Sequence, residues 1–101
     1  MNLKRLRQQI DKIDRNILKL LNQRLKLAQQ IGQAKRAAQK PIFDPAREAL
    51  LLKQLHSENK GLLSKKALSQ IYREILSESR SVQKKLRLKR DTKKQKKELS
   101  F

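Results

Sequence analysis

The chain has 101 residues, 27 Lys+Arg against 9 Asp+Glu (net +18), two Gly, two Pro and no Cys. Its length supports one small domain with little interior of its own; the lack of cysteine excludes a disulfide scaffold and any thiolate zinc site. No apolar run approaches the roughly 20 residues of a membrane span, no apolar leader opens the chain, and the scarcity of turn residues argues against a β-protein. The expectation is an all-α, cytoplasmic, strongly basic protein.

Leu3 to about Ala38 reads as one long helix. Apolar residues fall at Leu3, Leu6, Ile10, Ile13, Ile17, Leu20, Leu27, Ile31 and Ala34, a heptad-like seam at alternating spacings of three and four. At 1.5 Å per residue such a helix extends for about 54 Å, whereas a compact chain of this length has a radius of gyration of about 13 Å. One small domain cannot cover that seam. A second copy of the same chain is the simplest partner.

Lys40-Pro41 ends this helix, because a residue before proline is biased away from the α region. Asp44 is the expected N-cap of a short second helix, with Pro45 at its first position and Leu50, Leu51, Leu52 and Leu55 as its apolar residues. It fades through Ser57-Glu58-Asn59-Lys60 to Gly61. A third helix of medium length begins after Ser64, with a stripe through Leu68, Ile71, Tyr72, Ile75, Leu76, Ser79, Val82, Gln83 and Leu86. Residues 1–86 form the domain, and 87–101 a basic tail expected to be disordered and solvated.

Placement of the charge matters more than its total. Residues 1–83 hold 18 basic and 7 acidic side chains (net +11), and residues 84–101 hold 9 and 2 (net +7). A nucleic-acid role would rest on charge alone: Phe43, Tyr72 and Phe101 are the only aromatics, too few for base stacking, and no zinc finger, helix-turn-helix or RNP-like motif is present. A contact between the tail and a phosphate backbone stays open.

Polar residues on the apolar seams carry the chemical information, because burying them unpaired costs several kcal/mol. The heptad of the first helix predicts an apolar residue at 24, where Arg24 stands. Lys35 shares its face, with the small residues Ala28 and Gly32 between them. Either the two cations bracket room for an anion or Arg24 pairs with a carboxylate of a neighbouring helix. Ser79 and Gln83 interrupt the third stripe, as ligand-binding groups or as interhelical hydrogen-bonding residues. A capping box would need an acidic residue at 47, but Arg47 is there, which frees Glu48 for another role, although an acidic residue is also favourable near a helix N-terminus. His56, the single histidine, reads as a surface residue.

Arg7, Arg24, Lys35, the segment PIFDPAREALLL with Asp44, Arg47 and Glu48, and the pair Ser79 and Gln83 together resemble the all-helical chorismate mutases over about residues 3–86. The opening LRQQIDKIDRNILKLLNQRLKLAQQIGQAKR resembles the first helix of that family almost throughout. The resemblance implies an intertwined homodimer and a chorismate-to-prephenate rearrangement in phenylalanine and tyrosine synthesis, without cofactor or metal. It also implies residue roles. Arg7 of the other protomer and Arg24 would hold a substrate carboxylate, and Lys35 and Gln83 the ether oxygen. Glu48, with the backbone near Asp44, would bind the ring hydroxyl; Ser79 and Arg47 would complete the ring-carboxylate side. A similar fold serves isochorismate-pyruvate lyase, and Glu48 favours the mutase of the two. The basic tail is outside the family pattern.

Overall fold

The computed structural model describes residues 2–99, with side chains described up to Lys85. Three helices follow in order: α1 (Leu3–Ala37), α2 (Pro45–Glu58) and α3 (Lys65–Leu99). Each start has a local cause. The Asn2 side chain accepts from the backbone N–H groups of Lys4 and Arg5 at 3.0 and 3.4 Å. Asp44 caps α2 through Arg47 N–H at 3.1 Å, with Pro45 at the first position, and Ser64 caps α3 through Ala67 N–H at 3.1 Å. Such oxygen acceptors satisfy donors that the first helical turn leaves open.

Helix α1 stops where Gln39 takes a left-handed conformation, φ 55°. Gln39 N–H donates to Arg36 O at 3.1 Å and Lys40 N–H to Lys35 O at 2.8 Å, the paired bonds of a Schellman ending, here without the usual glycine. The turn delivers Pro41 and Ile42 back towards Lys35.

Helix α3 is longer than its stripe implies. It spans 35 residues, as α1 does, rather than the medium length expected. The stretch after Gln83 has no Gly or Pro and is rich in Lys, Arg and Leu, all strong helix formers whatever they bury. The expected solvation of the tail concerns side chains outside the described residues.

Contact pairs define the packing. Arg24 meets Ser79 and Gly32 meets Gln83, so α1 and α3 run in the same direction. Glu48 meets Arg80 and His56 meets Ser69, so α2 runs antiparallel to α3. The core is slight: Ala28, Leu68 and Leu76 are its buried apolar residues among those described. The molecule measures 68 × 33 × 17 Å with a radius of gyration of 18.6 Å, well above the value of about 13 Å for a compact chain. The first half of α1 is exposed throughout, and its seam residues Leu3, Leu6, Ile10, Ile13, Ile17 and Leu20 stand 40–62% exposed. A contiguous apolar stripe of that length marks an interaction surface. No described helix is long and apolar enough to cross a membrane.

Candidate active site

One cleft of about 350 Å³ lies where the second half of α1, the start of α2 and the middle of α3 converge. Its volume is in the usual range for small-molecule sites, about 300–1,000 Å³. Arg24, Lys35, Asp44, Arg47, Glu48, Ser79 and Gln83 all line it. Arg7 is on the exposed first half of α1 and is not among the lining residues.

The two seam anomalies meet each other. Arg24 donates from Nη1 to Ser79 Oγ, so the partner of the inward arginine is a hydroxyl, not a carboxylate. A hydroxyl leaves the positive charge of Arg24 uncompensated and its remaining donors available. The floor between Arg24 and Lys35 is buried Ala28 and Gly32, whose size lets α3 approach closely. Lys35 Nζ donates to Ile42 O at 2.6 Å, so the turn after α1 positions the lysine through a backbone carbonyl and leaves its charge intact.

Gln83 is 7% exposed, and its Oε1 is buried without a hydrogen-bond partner. Buried polar groups are almost always bonded, so this unpaired acceptor, on an amide that lines the cleft, is open to a donor from a ligand. Leu27, Ile31, Leu51 and Leu76 supply the apolar part of the lining, which lowers the local dielectric and strengthens every charge interaction inside.

Glu48 is not free, as its sequence position suggested. Both its carboxylate oxygens accept from Arg80 Nη1 at 2.6 Å. Arg80 is the cleft residue that sequence reasoning missed; its guanidinium carbon is 5.1 Å from the centroid of the Phe43 ring. A signal existed, since residue 80 is four positions after Leu76 and eight after Tyr72, on the flank of the stripe. His56 is elsewhere, with Nε2 2.9 Å from Ser69 Oγ between α2 and α3.

The lining side chains comprise four cations (Arg24, Lys35, Arg47, Arg80) and two carboxylates (Asp44, Glu48), a net excess of two positive charges. The arrangement can bind an anion, orient it and stabilise negative charge at one of its oxygens. A bundle of three helices with such a cleft is a helical domain whose site is suited to a small anionic ligand.

Residues 6–84 match the chorismate mutase type II family, and the chain belongs to it. It is 44% identical over 90 residues to the bifunctional chorismate mutase/prephenate dehydratase of Aquifex aeolicus, covering 85% of this chain and 25% of that protein. The bifunctional protein of the same name from Stutzerimonas stutzeri is 36% identical over 91 residues, with the same two coverages of 85% and 25%. The chain therefore spans about a quarter of the length of these curated relatives. Chorismate mutase (form II) of Thermus thermophilus superposes with a TM-score of 0.79 at 32% identity, over 81% of this chain and 93% of that one. The Helicobacter pylori chorismate mutase in complex with prephenate gives 0.77 at 33% identity, over 83% and 91%.

Proposed function

We propose that this chain catalyses the rearrangement of chorismate to prephenate, as a cytoplasmic homodimer. The observation that carries the reading is the gathering of seven polar residues from three helices around one cation-rich cleft. Family membership and the prephenate-bound relative support it.

The reaction is an intramolecular Claisen rearrangement. The ether C–O bond breaks while a C–C bond forms between the enolpyruvyl terminus and the ring, with no proton transfer and no redox change. Catalysis then consists of holding the reactive conformer and stabilising charge that grows on the ether oxygen. Lys35 donates to that oxygen, and so does Gln83 through Nε2, with its amide turned so that the N–H side rather than Oε1 meets the substrate. Arg24 holds the enolpyruvyl carboxylate, Ser79 and Arg47 the ring carboxylate, and Glu48 accepts from the ring hydroxyl beside the backbone at Asp44. Because these donors sit on packed helices, their orientation is fixed before the substrate arrives.

Arg7 enters from a second copy. The apolar stripe from Leu3 to Leu20 has no cover among the described residues, and pairing two such stripes carries the first half of one α1 across the other protomer. The cleft is then closed by the partner's Arg7, which adds a further cation for the dianion.

The test is direct. Purified protein is incubated with chorismate and loss of its absorbance is followed, with the product identified by mass. Prephenate at catalytic rates is the expected outcome. No turnover at micromolar protein would refute the reading, and salicylate plus pyruvate from isochorismate, without prephenate from chorismate, would transfer it to the lyase.

A further inference from the structure

Arg80 belongs to the cleft, yet the reading above gives it no part. It follows Ser79 on α3, and its Nη1 donates to both oxygens of Glu48 at 2.6 Å. Side-chain exposures of 30% for Arg80 and 22% for Glu48 make this a partly desolvated pair. Phe43, in the connection between α1 and α2, stacks on the same guanidinium at 5.1 Å. Three segments that build the cleft therefore meet at this one side chain.

The pairing addresses an electrostatic conflict. A carboxylate suits a hydroxyl because ionised it is acceptor-only, but in a cleft that takes up a dianion it repels the ligand, and more strongly where apolar walls exclude water. Arg80 neutralises that charge without using up the acceptor capacity. A single Nη1 shared between two oxygens leaves lone pairs on both. Its charge is permanent and its guanidinium is held by Phe43 at 5.1 Å, so the neutralising group stays in place beside the carboxylate.

We propose that Arg80 is a positioning and specificity residue: through Glu48 it makes a neutralised, oriented acceptor that admits a hydroxylated dianion. This rests on the chorismate reading of the same cleft. Neither the hydroxyl contact nor the repulsion lies at the breaking bond, so substrate and transition state feel them alike. The role should appear in KM rather than kcat.

The experiment is a double-mutant cycle of Arg80→Met and Glu48→Gln on the full chain, with Arg80→Lys as the conservative variant. KM and kcat for chorismate and Kd for prephenate are measured at low and high salt. Arg80→Met should raise KM and Kd about tenfold or more, with kcat within about threefold of wild type. Its deficit should shrink in part at high salt, because the Glu48 side chain is 22% exposed and its repulsion is therefore partly screened; a purely structural role would not respond in this way. Arg80→Lys should recover part of the loss. In the Glu48→Gln background, Arg80→Met should add almost nothing, because no charge remains to neutralise. Additive losses, or a loss confined to kcat, would overturn the assignment. Should Arg80→Met fail to fold, the same cycle with the neutral, polar Arg80→Gln decides the question. Wild type inert on chorismate would refute the function itself, whereas active wild type with an additive cycle refutes only the role of Arg80.

Discussion

Gly32 on α1 is pressed against Gln83 on α3: a Cβ at position 32 would come within 3.0 Å of Gln83 Cγ, 3.1 Å of its Cβ and 3.3 Å of its Cα. The glycine is needed for this close approach, not for an unusual backbone angle. It allows α3 to bring the Gln83 amide to the floor of the cleft next to Lys35. A Gly32→Ala substitution gains about 1 kcal/mol of helix propensity and loses a similar amount to overpacking, typically about 1–3 kcal/mol. We expect a midpoint of denaturation little changed or modestly lowered, and kcat lowered about tenfold or more. Parallel urea melts and steady-state kinetics separate the two effects; unchanged kcat would show that Gln83 does not need this seat.

Lys35 and Gln83 are the donors assigned to the ether oxygen. Removing one preorganised donor from such a site typically costs about 10²–10³ in kcat, so Lys35→Ala and Gln83→Ala should each fall in that range with smaller changes in KM. Wild-type kcat in either variant would remove that residue from the mechanism.

Gln39 offers a test of the turn that positions Lys35. Its φ of 55° is unfavourable for a residue with a Cβ by about 1–2 kcal/mol, offset in part by the greater unfolded-state freedom of glycine. Gln39→Gly should therefore stabilise the protein by about 0.5–1 kcal/mol in denaturant unfolding, with kcat unaffected. A destabilised variant would mean that the Gln39 side chain does more than occupy the turn.

Gln83 is the last cleft residue on α3, and 87–101 lies outside the assigned site. A chain ending at Leu88 should keep kcat within about twofold, while the reduced positive charge should weaken the dependence of kcat/KM on salt. A large loss of kcat on truncation would assign the C-terminal stretch a part in catalysis.

The helix starts were legible because each has a local chemical cause within three residues: Asp44 before Pro45, and Ser64 before Lys65. Seven of the eight polar residues that line the cleft were legible, Arg24, Ser79 and Gln83 as interruptions of apolar stripes and the others by their position or through family resemblance. What escaped was non-local. Nothing near Glu48 in sequence announces that Arg80, 32 residues on, takes both its oxygens. The partner of Arg24 proved to be the other anomaly, Ser79, a pairing that only the parallel alignment of α1 and α3 makes. The length of α3 was missed for the opposite reason: residues after Gln83 have little to bury, but backbone propensity alone carries the helix on.

If Arg7 of a second copy finishes the cleft, Arg7→Ala and Arg24→Ala chains should each be inactive as homodimers. Mixed one to one with free exchange, half the dimers contain both variants, and each of these has one site with its own Arg24 and the other chain's Arg7. About a quarter of wild-type activity should therefore reappear. No recovery, with mixed dimers confirmed by mass spectrometry, would contradict a shared site.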